Sequence, residues 1–444
     1  MKIKIPKRYK SIIYKIYVML KDNKFDAYIV GGFVRDLFIG RDPKDLDIVV
    51  CTKKTDKDRQ LSGINFAKNL AKRYKLREPI VFEKFGTARL LIDGEVVEFV
   101  MPRKEEYCDL NSRNPVTQLA SLEEDALRRD FTINALFLRI IDLKVLDFTS
   151  RGLDDIKNKI IRVTNTSNAK IIFHQDPLRI LRAIRQSLQL GFVIENDTYN
   201  AMRISFQRIR IVSHERIRDE LNKILLEQAP SKAFVVMDRI NLLTEILPEI
   251  ARLKKIKLPF NLIDDAFVHT LEVLDRTKSI LVLRMAALLH SVVEYGVCEK
   301  TENILERFKY SKKFIRKTIS IIQNYACFKM CSGDLTDVAI HRFIKRCGEE
   351  FDLIMEFSKA YYGKDSNDKK FVKIKNRIDK IKLKNMLYSG VQLFSGNDLM
   401  KIFNKSTGKW IKDVKNQIEE MQIENPYLTK EEAIKALKIS KNLL

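Results

Sequence analysis

Two short clusters carry residue types that could do chemistry on phosphates. In YIVGGFVRDLFIGRDPKDLDIVV, the pair Gly31-Gly32 follows an apolar, strand-like run and opens a helix-like segment, with Arg35 one turn further on. Backbone without side chains can approach phosphate oxygens closely, and a helix amino terminus favours their negative charge. Asp45 and Asp47 stand two apart in the next strand-like segment, so their side chains leave one face while Leu46 and Ile48 enter the core. Two carboxylates on one face can share divalent ions, and the hard cation Mg²⁺ bridges readily from carboxylate to substrate phosphate. The arrangement suits two-metal, in-line phosphoryl or nucleotidyl transfer. A lone glycine pair is usually a turn and a lone Asp-x-Asp usually a solvated strand edge; their joint occurrence in this order is far more specific.

The elements that must hold these residues can be read from the pattern around them. From about Phe25 to Phe148 the chain is mixed: strand, turn, helix, strand, and then ARLLIDGEVVEFV, two β-prone runs joined by Asp93-Gly94, a strong type I′ hairpin signal. After Ile156 helical periodicity takes over to the end, with breaks suggested at Lys257-Leu258-Pro259 and across 363–371. In HQDPLRILRAIRQSLQLGF, Asp176, Arg179, Arg182 and Arg185 wind along one side of a helix opposite an apolar stripe of Leu178, Leu181, Ile184 and Leu188. A solvated charged face is the ordinary reading of such a pattern, and a polar face held towards a ligand is the other.

Composition narrows the partners. The 444 residues hold 82 Lys and Arg against 58 Asp and Glu, a formal net charge of +24, which attracts polyanions such as nucleic acid. A lysine-rich genome would give the same excess. The six cysteines, Cys51, Cys108, Cys298, Cys327, Cys331 and Cys347, are scattered and read as reduced thiols. The basic amino terminus reads as a first helix rather than a signal peptide, and no run approaches the roughly 20 apolar residues that span a bilayer. A cytoplasmic protein of unknown oligomeric state, without membrane association, is expected.

The order Gly-Gly-x-x-Arg-Asp followed by Asp-x-Asp resembles the head domain of class II tRNA nucleotidyltransferases and bacterial poly(A) polymerases, in the polymerase β superfamily. The resemblance implies two Mg²⁺ ions held by Asp45 and Asp47, and a triphosphate held by Gly31, Gly32 and Arg35. A third catalytic carboxylate often helps, and Glu98 on the second hairpin strand is the candidate, with an outward-facing polar residue as its alternative reading. SLEEDALRRDFTINALFL is similar to the family's next motif at Arg128, Arg129, Asp130 and Asn134; its carboxylate can accept from a ribose hydroxyl and its guanidinium groups can fork onto phosphate. Asp176 and Arg179 match the pair that reads the Watson–Crick edge of the incoming base in place of a template, with Arg182 and Arg185 lining the same pocket. Gln175 stands where an acidic residue is usual, and Gln186 where an aromatic is common. VSHERIRDELNKIL is similar to the neck helices, with His214, Glu215 and Arg216 structural.

The implied fold is α+β: a small mixed-sheet nucleotidyltransferase head (1–150), a helical neck that recognises the base (151–256), a degenerate HD-like helical body (257–365) and a tRNA-binding helical tail (366–444). In the body, VHTLEVLD and LRMAALLHS are similar to an HD phosphohydrolase, but the His-Asp pair is His290-Ser291 here, so His269 and His290 read as core or relic residues. VFEKFGTARLLIDG lacks the Gly-basic-basic-Phe signature of poly(A) polymerases, and the loop from Arg103 to Asp125 has the full length that CC-only enzymes lack. The implied activity is template-independent addition of CCA to the tRNA 3′ end from CTP and ATP with release of pyrophosphate. An A-only or poly(A)-adding enzyme on the same fold is the alternative, and a catalytically idle RNA-binding protein is the alternative of another class.

Overall fold

A computed structural model describes residues 3–21, 24–52, 60–106, 116–165, 168–258, 261–298, 300–326, 336–362, 369–388, 393–425 and 427–440. Cys108, Cys327, Cys331 and residues 107–115 of the Arg103–Asp125 loop therefore lie outside the described residues, while Cys51, Cys298 and Cys347 lie within them and form no disulfide. The chain divides into two compact units, 1–251 and 252–444.

In the first unit, α1 (Lys7–Leu20) precedes β1 (Phe25–Val30), α2 (Gly32–Phe38), β2 (Leu46–Thr52), α3 (Ser62–Tyr74), β3 (Ile80–Phe82), β4 (Thr87–Ile92) and β5 (Glu95–Val100). A small pair, β6 (Arg103–Glu106) and β7 (Val116–Leu119), leads to α4 (Leu122–Leu127), β8 (Leu136–Arg139) and β9 (Val145–Asp147). Seven strands form one sheet in the order β3-β4-β5-β2-β1-β8-β9. Pairing is antiparallel except between β2 and β5, where Asp47 faces Glu98 in register. The Asp93-Gly94 turn has φ of 52° and 85°, the two left-handed residues that a type I′ hairpin requires. β2 alternates as its sequence demands: Leu46 and Ile48 are buried and Asp47 is half-buried on the other face.

Helices then dominate: α5 (Gly152–Asn158), α6 (Ala169–Gln175), α7 (Leu178–Leu190), α8 (Asn196–Ser205), α9 (His214–Leu225), α10 (Ser231–Arg239), α11 (Leu242–Ile246) and α12 (Pro248–Arg252). The helical reading missed a two-residue parallel pairing of Ile160-Ile161 with Val193-Ile194, which clips the chain just after α5 to the chain just before α8. β-Branched residues suit that extended contact. On α7 the apolar stripe buries Leu178, Leu181 and Ile184, while Leu188 is half-buried. The charged side is far from a solvated face: Arg179 is buried and Arg182 and Arg185 are half-buried.

The second unit begins with a two-stranded pairing of 257–258 with 261–265 and continues through α13 (Ala266–Arg276), α14 (Leu281–Glu294), α15 (Thr301–Arg307), α16 (Lys312–Asn324), α17 (Asp337–Cys347) and α18 (Phe351–Tyr362). It ends with α19 (Lys369–Tyr388), α20 (Gly396–Phe403), α21 (Trp410–Glu424) and α22 (Lys430–Ser440). Leu399, Val414, Ile418, Ala433 and Leu437 make a separate apolar cluster near the carboxyl end. Among the described residues, no helix is long and apolar enough to cross a membrane.

Candidate active site

A cleft of about 1150 Å³ opens within the first unit, and it gathers residues separated by up to almost two hundred positions in sequence. Gly31, Gly32, Arg35, Asp45 and Asp47 form one part of its wall, Arg128, Arg129, Asp130 and Asn134 a second, and Asp176, Arg179, Arg182 and Arg185 a third. Gln175, Gln186 and Arg216, the last read from sequence as structural, line it as well.

The turn from β1 into α2 needs glycine. Gly31 has φ +72°, and a Cβ there would lie 3.6 Å from Arg129 Nη1 and 3.9 Å from Asp47 Oδ2. The bare backbone thus brings the α2 entry against the carboxylate strand. Burial first, and the neighbouring Glu98 carboxylate second, push the Asp47 carboxyl up to about 6, with Asp45 adding to the same effect and Arg129 opposing it. Glu98 itself is held by Arg89, whose Nε donates to Glu98 Oε2 at 3.2 Å.

The second wall is organised by carboxylates that grip arginines. Asp125, fully buried on α4, accepts from Arg128 Nη2 at 2.6 Å and from Arg129 Nη2 at 2.8 Å. Burial works to raise its pKa, but the two guanidinium groups overcome it and hold the carboxyl below its usual range. Asp130 Oδ1 accepts from the Phe131 amide at 2.8 Å and from Asn134 Nδ2 at 2.9 Å; Oδ2 accepts from Arg182 at 3.0 and 2.7 Å. Burial opposes ionisation here too, and Arg182 with Asn134 prevails, keeping Asp130 a carboxylate. Its acceptor capacity is largely taken up within the chain, so a ribose hydroxyl would have to exchange with one of these donors. Arg35 donates Nη1 to Asn134 Oδ1 at 2.8 Å and is fixed from behind by Asp36.

The third wall comes from α7 and α9. Asp176 accepts at Oδ1 from the Leu178 amide at 3.2 Å and at Oδ2 from Arg216 at 2.9 Å. Arg179 donates Nη2 to the Arg128 carbonyl at 2.7 Å, while its buried Nη1 has no hydrogen-bond partner among the described residues. A buried guanidinium nitrogen beside an open cleft is a donor awaiting an acceptor. Arg185 is clamped by Glu220, its Nε donating to Oε2 at 2.6 Å. Asp125, Glu220 and Arg216 were missed as site residues. The Asp125–Arg128–Arg129 spacing on one helix was the available signal for the first; the Glu220 contact crosses 35 residues and left none.

The donor set suits Mg²⁺: hard carboxylate oxygens from Asp47 on β2 and from Asp45 one residue before it, with mutual repulsion that a divalent cation would relieve. Among the described residues no group of three His, Cys, Asp or Glu side chains is arranged to hold an ion, so phosphate oxygens would have to complete the coordination.

A mixed sheet presenting an Asp-x-Asp strand beside a glycine turn, walled by arginines, defines a nucleotidyltransferase. Three family models match in sequence order: "Poly A polymerase head domain" over 27–162, "Probable RNA and SrmB- binding site of polymerase A" over 191–254, and "tRNA nucleotidyltransferase domain 2 putative" over 285–437. A CCA-adding enzyme of Bacillus velezensis is 29% identical over 396 residues, 89% of each chain. The mitochondrial CCA tRNA nucleotidyltransferase of Saccharomyces cerevisiae is 36% identical over 227 residues, 48% of this chain and 41% of that one. The structure of the Bacillus stearothermophilus CCA-adding enzyme in complex with CTP superposes with a TM-score of 0.74 at 23% identity, covering 99% of this chain and 98% of that one. The chain thus carries, in order, the regions that these three family models describe, and it is similar to CCA-adding enzymes along most of its length.

Proposed function

We propose that the protein extends the 3′ end of tRNA with C and A, taking CTP and ATP and releasing pyrophosphate, without a nucleic-acid template. The observation that carries the reading is the convergence in one cleft of the Asp45/Asp47 strand, the Arg128–Asp130 wall and the Asp176/Arg179 pair. Two Mg²⁺ ions held by Asp45 and Asp47 would supply Lewis-acid activation of the attacking hydroxyl and neutralise the departing pyrophosphate.

The chain's own groups do the rest. Gly31, Gly32 and Arg35 seat the triphosphate, the bare turn admitting its oxygens and the guanidinium meeting their charge. Arg128 and Arg129, oriented by Asp125, face phosphate oxygens, and Asp130 with Asn134 addresses the ribose. Arg179 offers its unpaired Nη1 and Asp176 accepts, a donor–acceptor pair that suits the mixed edge of C or A. Glu98 raises the negative potential at Asp47 as a third carboxylate of the site. The four regions 1–150, 151–256, 257–365 and 366–444 would serve as head, neck, body and tail, the basic helices beyond the cleft gripping tRNA through shape and phosphate contacts.

The test uses purified protein, Mg²⁺ and three tRNA transcripts ending before CCA, after C and after CC, with CTP and ATP supplied separately and together. Completion of all three is the expected result. Extension of the CC-ended transcript alone, by one A, would make the protein an A-adding specialist, and no extension would leave an RNA-binding protein.

A further inference from the structure

Gln186 is a neutral side chain at the centre of a charged network. It lies on α7 and is 2% exposed. Its Oε1 accepts from Asn134 Nδ2 at 3.0 Å and from Arg35 Nη1 at 3.2 Å, and its Nε2 points at Asp130 Oδ2 at 3.4 Å. The amide has one satisfied orientation, because flipping it would set its NH₂ against two donors and its oxygen against a carboxylate. Arg35 is fixed at Nε and Nη2 by Asp36, so the aim of its remaining Nη1 is decided by Asn134 and Gln186 together. Asn134 in turn spans Asp130 and Gln186. Gln186 therefore closes a ring of four side chains drawn from three separate segments of the chain. An apolar replacement of similar length would leave an arginine and an amide donor short of an acceptor in a buried place.

We infer that Gln186 is a positioning residue that ties the base-reading helix α7 to the sugar and triphosphate groups of the head, and thereby sets how strictly the site demands a ribonucleotide. The inference deepens the proposed function and rests on it. Neither Asp176 nor Arg179 hydrogen-bonds to Gln186, so the sugar should respond to its loss and the base should not.

The full-length protein and its Gln186→Met and Gln186→Leu variants are compared for kcat and KM with CTP, dCTP and UTP, on a tRNA transcript lacking CCA and with Mg²⁺. Thermal midpoints are measured alongside. The expected result is that the CTP-to-dCTP ratio of kcat/KM falls about tenfold in both variants while the CTP-to-UTP ratio moves less than about twofold. Parallel losses for CTP and dCTP, with the sugar ratio unchanged, would reduce Gln186 to packing and overturn the inference. Should the wild-type protein incorporate neither nucleotide, the proposed function fails. The Gln186 inference is then judged by equilibrium binding of CTP and dCTP, where an unchanged sugar ratio again overturns it. Should either variant unfold below the assay temperature, the same ratio measured by binding in the cold decides between the same two outcomes.

Discussion

In the cleft of residues 1–251, carboxylates hold arginines so that guanidinium faces remain turned to open space; in the helical core of residues 252–444, a histidine is enclosed until nothing of it is left over. His290 is fully buried, with Nδ1 donating to the Ala287 carbonyl at 2.8 Å and Nε2 3.0 Å from the Ser291 hydroxyl, which stands 2.7 Å from Thr270 Oγ1. The rings of His269 and Tyr361 pack edge-on against it at 5.8 and 5.3 Å. Burial pushes the His290 imidazole down to about 3, and a neutral ring with both nitrogens engaged offers no ligand position. The cleft does the reverse: Arg179 keeps an unpaired donor and Asp47 an ill-accommodated charge. Both regions carry residue types that can do chemistry, although His290-Ser291 in place of His-Asp already read as a core or relic pair. Unsatisfied charge beside open volume separates them.

The contrast can be tested most severely at the metal strand. Asp45→Ala combined with Asp47→Ala should lower nucleotide incorporation by about three orders of magnitude or more, read as kcat/KM with Mg²⁺, at little cost in folding. Full activity in that variant would sink the mechanism. Next in size, Asp125→Asn removes the buried partner of two arginines and should destabilise the first unit by about 3 kcal/mol in denaturant titrations. An unchanged midpoint would show the clamp to be ornamental.

The second unit should answer to pH instead. His290 has a folded pKa below its unfolded value, so between about 3 and 6.5 the unfolded chain binds the extra proton and stability falls as the pH is lowered. Lowering the pH from about 7 to about 5 should cost about 2 kcal/mol through this group, and His290→Asn should flatten that dependence. A wild-type slope retained in the variant would assign it elsewhere. The smallest effect belongs to His269→Ala, which should leave incorporation within about twofold of wild type, as a half-buried ring packed against His290 and Tyr361 rather than a ligand.

Much of the cleft was legible because local rules apply to it. The Gly31 turn and the Asp93-Gly94 hairpin depend on neighbours a few residues away and took the expected form; of the Asp-x-Asp pair Asp47 sits on β2 as read, while Asp45 stands exposed one residue before the strand begins. The apolar stripe of α7 was read correctly except at Leu188, but the helix face opposite was only half understood, since Arg185 meets Glu220 and Arg182 meets Asp130 through contacts 35 and 52 residues long. Such pairings have no sequence period. That His290 belongs to the core was legible from the missing His-Asp pair, but its neighbours were not: Thr270, Phe357 and Tyr361 come from helices whose packing alone brings them together.

The most direct measurement is the base selectivity of an Arg179→Ala variant, scored with all four ribonucleotides on a transcript lacking CCA. If protein side chains replace a template, incorporation of CTP and ATP should fall by about tenfold to a hundredfold and their preference over UTP and GTP should collapse. A variant that stays as selective as the wild type would contradict base reading by the Asp176/Arg179 pair, and with it the account of how this cleft chooses its substrate.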